Sequence, residues 1–352
     1  MTDRGANRVA ATFALFAFNQ ESYIREAIEG AFAQTYQPLE IILSDDCSSD
    51  GTFAIMREMA SKYHGPHQVR AVRNQRNLGI LPHILARGRE AKGEIVVVAA
   101  GDDISTRDRT EALVRRFNDD EDIYCVTSAF DLIDEESRLI SRGEIVPIGI
   151  KGQKVVSSFL RDVAKPYTVI QGSTAAYRRN IFERVSADEN FIFPEDNYFN
   201  FLIYLLGGYV VQVEQSLVKY RQHSEALSNR NNAKLCIEDL EAAFQTEAKR
   251  RMSMMDAFLR LANRDDRACD VDIARVVSER ERSRFVQAWP ELSVHARLAS
   301  ALTSLVKLRI SDARWKALRL AGTFPRYQPK ALLCRFHPKY AGRSRPTALG
   351  RT

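Results

Sequence analysis

Between residues 9 and 130, short runs of apolar and often β-branched residues alternate with longer stretches in which apolar positions recur every three or four residues. The first pattern predicts buried strands and the second amphipathic helices. Strands are expected at 9–18, 40–43, 68–73, 94–100 and 123–128. Between them, one helix carries Ile24, Ala27, Ile28, Ala31 and Phe32 on a single face. It ends at Thr35-Tyr36-Gln37-Pro38, because proline disfavours helix at the residue before it. A second helix carries Phe53, Met56, Met59, Ala60 and Tyr63 at core spacing, a third ends near Lys92, and a fourth covers about 106–117. Strands alternating with helices in this way predict an α/β domain around a parallel, doubly wound sheet.

Beyond residue 140 the pattern loosens until 167–177, a strand-like run containing Gln171-Gly172-Ser173-Thr174. Phe191-Ile192-Phe193-Pro194-Glu195-Asp196 then leads into an apolar helix at 197–206, with strand-like segments at 208–213 and 217–221. After Arg221-Gln222-His223-Ser224 the chain turns helical, beginning with Leu235, Leu240, Ala243 and Phe244. Further on, Val294, Leu298, Leu302, Leu305 and Val306 form an apolar stripe, read as packing on the preceding domain or on a second copy, with a place in a membrane interface as the other reading. The expected organisation is an N-terminal tail at 1–8, a main domain at 9–230, a helical extension at 231–325 and a basic tail at 326–352.

Composition adds limits. Hydrophobic residues make up 45% and charged residues 27%, as in soluble globular proteins. The formal charge of +6 is uneven: from Lys307 to the end, Lys and Arg are frequent and Asp312 is the one acid. That tail suits an anionic surface, and peripheral membrane contact is expected there. Five cysteines without a CxxC pair suggest neither a zinc site nor a disulfide framework, and fit reducing cytosol. Arg4 and Arg8 precede an apolar run with the length of a signal-peptide core, but the next segment is already patterned as a helix, and a first strand explains the run as well. The run at 201–211 is too short to span a bilayer. No GxGxxG occurs, and Gly88-Arg89-Glu90-Ala91-Lys92-Gly93-Glu94 lacks the closing Lys-Ser/Thr of a phosphate-binding loop, so dinucleotide and P-loop chemistry lose support.

The strand at 94–100 ends at Gly101 and delivers Asp102 and Asp103 to the crevice beyond its carboxyl end, where open α/β sheets place ligands. Adjacent carboxylates repel unless a cation or donor array holds them, and hard divalent ions prefer carboxylate oxygens. A solvated turn capping the next helix is the other reading of the pair.

Six motifs follow in order: Phe18-Asn19-Gln20-Glu21-Ser22-Tyr23-Ile24 with Gln34-Thr35-Tyr36; Ser44-Asp45-Asp46-Cys47-Ser48-Ser49-Asp50-Gly51-Thr52; Asn77-Leu78-Gly79; Gly101-Asp102-Asp103; Glu195-Asp196; and Tyr220-Arg221-Gln222-His223. Together they resemble inverting glycosyltransferases of family 2. The resemblance covers roughly residues 9–225 and implies the GT-A fold: a Rossmann-like, mostly parallel sheet flanked by helices, here with a C-terminal helical extension. Two positions depart from the family pattern, Ala100 where an Asp is usual and Cys47 where Gly is common. The resemblance implies that Asp46 pairs with the nucleotide base, helped by Phe18, Asn19 and Glu21, with Asn77 and Asp102 also on the nucleotide. It implies Mn²⁺ or Mg²⁺ held by Asp103 and His223, with Asp102 sharing that burden.

A divalent ion neutralises a departing diphosphate as a Lewis acid, so no protein acid is needed. What remains is a base for the acceptor hydroxyl, and one carboxylate suffices. Asp196 is the candidate, with an N-cap of its helix as the other role; Glu195 is a tuning neighbour or acceptor contact, and Arg221 a help with phosphate charge. The expected function is transfer of a sugar from a nucleoside-diphosphate sugar, UDP-linked for preference, to a glycan or lipid-linked acceptor in bacterial surface polysaccharide synthesis. The expected setting is the cytoplasm, at the inner membrane face, with no nucleic-acid partner. Rival expectations are a nucleotide-sugar-binding protein without turnover and a nucleotidyltransferase.

Overall fold

In the computed structural model of the chain, residues 10–144, 170–185, 195–224, 237–263 and 270–306 are described. The four apolar runs of the first hundred residues are strands β1 (Ala11–Ala17), β2 (Leu39–Asp45), β3 (Gln68–Arg73) and β4 (Ile95–Ala100), paired in parallel in the order β3-β2-β1-β4. Their carboxyl ends are flush: Ala17 is level with Asp45, Asp45 with Arg73, and Phe16 with Ala100. The loops carrying Asn19, Asp46, Asn77 and Asp102 therefore leave the sheet along one edge, as parallel register requires.

Helices α1 (Ile24–Phe32), α2 (Thr52–Ser61), α3 (Ile80–Glu90) and α4 (Arg109–Phe117) join these strands and cover both faces. Alternation along β1 separates two cores: Phe13 and Leu15 pack with Ile24, Ile28, Met56 and Leu113, whereas Ala14 faces Leu81, Ile84 and Leu85 of α3. Burial on both faces explains why β1, β2 and β4 read as continuous apolar runs, whereas β3, at the sheet edge, alternates polar and apolar residues.

The second half of the sheet is mixed. It comprises β5 (Ile104–Ser105), β6 (Ile123–Ile133), β7 (Leu139–Glu144), β8 (Ala176–Arg178) and β9 (Tyr209–Arg221), continuing the order as β4-β8-β6-β9-β5 with β7 on β6. β8 runs antiparallel between β4 and β6, while β6 and β9 are parallel with shifts in register. The two segments expected at 208–213 and 217–221 are one continuous strand, because the polar residues between them lie on a partly exposed stretch of the ladder. Of the strand expected at 167–177, residues 167–169 lie outside the described residues, Gly172–Thr174 form a 3₁₀ turn, and the strand β8 begins at Ala176. After β8 come the short α5 (Asn180–Glu183) and then α6 (Glu195–Leu205).

Further helices are α7 (Ile237–Ala262), α8 (Asp270–Ala288) and α9 (Val294–Val306). The chain divides into two units, Met1–Ala233 with Arg250–Glu281, and Lys234–Lys249 with Arg282–Thr352. In the first, Phe258 of α7 stacks on Phe201 of α6 with centroids 4.0 Å apart, so this part of the expected extension completes the core beside the sheet. In the second, Phe285 and Leu292 pack on buried Trp289. Of the apolar stripe, Val294, Leu298 and Leu302 are 41%, 44% and 60% exposed in the single chain. The tails expected at 1–8 and 326–352 lie outside the described residues. Among the described residues, no helix is long and apolar enough to cross a membrane.

Candidate active site

The loops after β1 and β2 brace each other. Asn19 accepts the Ser49 N–H through Oδ1 at 2.8 Å, Glu21 Oε2 accepts the Gly51 N–H at 2.6 Å, and the Gln20 N–H donates to Thr52 Oγ1 at 2.8 Å. Asp50 accepts the Thr52 N–H and caps α2. Asp45, fully buried, accepts both the hydroxyl and the N–H of Ser48 and pairs with Arg73. These polar loops are rigid because each donor has a specific acceptor across the gap. Cys47 adopts φ +64° between the two acids and their serine partner, and Asn19 adopts φ +53°. Phe18, at the end of β1, is exposed.

Asp46 is buried, and its carboxylate organises the next loop. Oδ1 accepts from Asn74 Nδ2 at 2.8 Å and the Leu78 N–H at 2.9 Å; Oδ2 accepts the Gly79 N–H at 2.9 Å. Asn77 Oδ1 accepts the same Gly79 N–H, and Gly79 itself takes φ +78°, a conformation that favours glycine. Three of the roughly four acceptor positions of a carboxylate are thus occupied, leaving one on Oδ2. Behind Asp46, His83 of α3 lies 2.6 Å from Ser44 Oγ. Burial lowers the His83 pKa to about 4, against the pull of the Asp46 charge, so the ring is neutral.

The turn after β4 separates the two neighbouring carboxylates. Asp102 points its Oδ2 to His223 Nε2 at 3.0 Å, and the His223 ring packs against Tyr23. Asp103 turns inward: its Oδ1 accepts the Arg221 N–H at 2.9 Å, and its Oδ2 is buried without a hydrogen-bond partner. Burial, and then the Asp102 charge, push the Asp103 carboxyl well above the usual range. His223, expected to act with Asp103, is thus brought to Asp102 instead, because consecutive residues of the turn face opposite ways.

Arg221 is not available to a phosphate. Its buried guanidinium donates to Asp102 O at 2.9 Å, to Asp134 O, Glu135 O and Ser137 Oγ, and to Glu26 Oε2 at 2.5 Å, with Tyr23 stacked against it. The side chain expected near the phosphates is instead the anchor of the Asp102-Asp103 turn. A second buried arginine, Arg109, donates to Val98 O at 2.6 Å, Ser105 Oγ at 2.9 Å and Ser173 O at 2.7 Å, tying β4 to the 3₁₀ turn.

That turn supports the third acid. The Gly172 N–H donates to Asp196, the second residue of α6, and a Cβ at Gly172 would come 2.4 Å from Glu195 Oε1. Glu195 and Asp196 are both buried, and Asp196 Oδ1 has no hydrogen-bond partner. Burial raises the Asp196 pKa to about 6, while N–H groups of Gly172, Asn197 and its own backbone pull it down. Burial and then the Asp196 charge raise Glu195 to about 8. At neutral pH the pair is therefore an ionised Asp196 beside a protonated Glu195. Asn200, one turn along α6, keeps a buried Nδ2 without a partner on the same face.

Sequence reasoning missed Arg109, His83, Gly172 and Asn200. Their roles depend on burial and on contacts across many residues; only the Gln171-Gly172-Ser173-Thr174 run gave a local signal. Among the described residues, no three His, Cys, Asp or Glu side chains gather into a metal-binding group. The Asp102–His223 pair nevertheless fits Mn²⁺ or Mg²⁺, since ions that work on phosphates take few protein ligands and complete their shell from substrate and water.

A family model described as Glycosyl transferase family 2 matches residues 12–186. An uncharacterized protein of Mycobacterium tuberculosis is 27% identical over 215 residues, which cover 60% of this chain and 58% of that protein. An uncharacterized glycosyltransferase of Haemophilus influenzae is 24% identical over 215 residues, 60% of this chain and 65% of that one. The chain thus spans less than two thirds of the length of either relative. In fold it is similar to a mannosyltransferase from Pyrobaculum calidifontis solved with GDP-Man and Mn²⁺, with a TM-score of 0.51 at 18% identity, covering 95% of this chain and 82% of that one. Residues 12–186, which carry the loops of Asn19, Asp46 and Asn77 and the Asp102 turn, thus form a glycosyl transferase family 2 domain.

Proposed function

We propose that this protein transfers a sugar, with inversion at the anomeric carbon, from a nucleoside-diphosphate sugar to a hydroxyl of a glycan or lipid-linked acceptor. The observation that carries the reading is Asp196: a buried carboxylate with one oxygen unpartnered, and a pKa raised to about 6. A general base works best when its pKa lies near the operating pH. Asp196 Oδ1 takes the proton of the acceptor hydroxyl as that oxygen attacks. Oδ1 has no competing partner, and the Gly172 N–H holds the carboxylate in place. Glu195, protonated beside it, adds no second negative charge to oppose the ionised base.

On the donor side, the free acceptor position of Asp46 Oδ2 suits the imide N–H of a uracil-like base, which favours a UDP-linked donor. Asp102 and His223 would hold Mn²⁺ or Mg²⁺, which supplies Lewis-acid neutralisation of the departing diphosphate. Support for that ion and donor class comes from the family 2 domain and from the mannosyltransferase with GDP-Man and Mn²⁺. With such an acceptor, the proposed role is in bacterial surface polysaccharide synthesis at the inner membrane face.

A panel of sugar nucleotides incubated with Mn²⁺ and an acceptor extract tests the reading. Release of a nucleoside diphosphate with glycosylated product is expected; release of pyrophosphate would assign a nucleotidyltransferase instead. Loss of transfer in Asp196→Asn, with nucleotide binding retained, is the second expected result. Transfer at the parent rate overturns the assignment of the base.

A further inference from the structure

We propose that α9 is the element through which this protein docks on an anionic lipid bilayer. Three aliphatic side chains at four-residue spacing, Val294, Leu298 and Leu302, lie along one face and remain 41%, 44% and 60% exposed. Scattered single exposed aliphatics need no explanation, whereas a continuous stripe along one helix does. The helix is held at its beginning: the Ala296 N–H donates to Ser293 Oγ at 3.2 Å, and Arg297 donates to Pro290 O at 2.7 Å and lies over Trp289. Beyond that anchor, a 13-residue helix is marginal in water, because most helices draw their stability from burying an apolar face. The exposed stripe is therefore a face that lacks its covering surface.

Charge identifies the cover. No acidic residue occurs within α9, and the sequence after it carries Lys307, Arg309, Arg314, Lys316 and Arg319 before residue 320, with Asp312 the one acid from there to the end of the chain. A second copy of the chain would bring two such basic segments together, and like charges disfavour that pairing. A polyanion such as nucleic acid satisfies the charge but gives the aliphatic stripe nothing to enter. A bilayer with anionic headgroups answers both, with apolar side chains at the acyl boundary and basic residues at the headgroups.

The inference stands apart from the transfer chemistry, since its assay needs neither donor nor acceptor. The full chain is sedimented with phosphatidylcholine vesicles, with and without phosphatidylglycerol, at low and high salt. Binding to the phosphatidylglycerol vesicles alone is expected, weakening with salt. In the uncharged variant Leu298→Ser with Leu302→Ser it should fall at least roughly tenfold. Both positions are exposed, so the variant should keep its circular dichroism spectrum. No binding by the parent protein overturns the proposal, as does equal binding by the variant. A parent dimer that becomes monomeric in the variant, with vesicle binding unchanged, assigns the face to a second copy and likewise overturns it.

Discussion

The two acidic regions at the edge of the sheet are built on opposite principles. Around Asp46, and around Asp45 beside it, carboxylate oxygens accept N–H and O–H groups from neighbouring loops until little capacity is left. Around Asp196 and Glu195 the carboxyls are equally buried, Asp196 Oδ1 is unpartnered, and burial raises the two pKa values to about 6 and about 8. A nearly saturated carboxylate fixes loop shape and leaves, at Asp46, a single acceptor position on Oδ2. An unsaturated one stores an unfavourable desolvation that a substrate proton can relieve. The contrast predicts that removing charge from the first region costs stability, and that removing it from the second costs activity.

The sharpest test is Asp196→Asn. Transfer should drop by about 10³-fold, within the usual contribution of a general base. Stability near pH 7 should be unchanged or raised, because a buried charge is gone. The pH dependence follows from the same raised values. With Asp196 as the proposed base, kcat/KM should fall about tenfold per pH unit below about 6. For folding the sign is opposite. Glu195 and Asp196 keep their protons in the folded state at pH values where the unfolded chain has released them. Stability from this pair is therefore full below the ordinary carboxylate pKa and is lost as pH rises toward about 8. Glu195→Gln should flatten that slope in chemical denaturation. A slope unchanged in Glu195→Gln would mean that Glu195 is ionised in the folded protein.

A somewhat smaller effect is expected between the two regions, at Asp102 and His223. His223→Ala should lower transfer on the order of 10²-fold, and should raise the Mn²⁺ concentration needed for half-maximal rate. An unchanged Mn²⁺ requirement would move the ion to Asp103, whose buried Oδ2 is also without a partner.

Most of the parallel half of the fold was legible because burial on both faces writes itself into the sequence: β1, β2 and β4 have largely unbroken apolar runs, while β3, at the sheet edge, alternates polar and apolar residues. The mixed half was less so. β8 has three residues, and β9 carries polar residues midway that made one strand read as two. Asp46, Asp102 and Asp196 were readable as residues, since each follows an apolar run or opens one. Their partners were not. That Asp102, and not Asp103, meets His223 depends on which way a turn faces, and that Arg221 is consumed by Glu26 and the 134–137 turn depends on contacts across most of the domain. The apolar stripe of α9 was visible, but whether a stripe is covered is a property of the rest of the molecule.

On the nucleotide side the expected effect is on stability first. Asp46→Ala leaves the Leu78 N–H and the Asn74 amide without this acceptor, and the Gly79 N–H with Asn77 Oδ1 alone, a loss of about 2–3 kcal/mol after partial resolvation. Donor KM should rise while kcat changes less, since the acceptor and its base are untouched. A variant that is as stable as the parent but catalytically dead would place Asp46 with the reacting groups and dissolve the contrast between the two regions.

The smallest effect sharpens the same contrast. Cys47 holds φ +64° in the middle of the braced loops, where a Cβ crowds the backbone by roughly 1–2 kcal/mol. Its thiol returns little, a long contact of 3.6 Å to Gln75 O. Cys47→Gly removes the crowding but loosens the unfolded chain, which takes back part of the gain. The net should be a stabilisation of about 0.5–1 kcal/mol by chemical denaturation, with donor KM unchanged, because Ser48, Asp45 and Asn19 fix the turn independently of residue 47. If KM rises instead, the thiol side chain itself shapes the base pocket, and a thiol reagent should then block donor binding in the parent protein and be excluded by UDP.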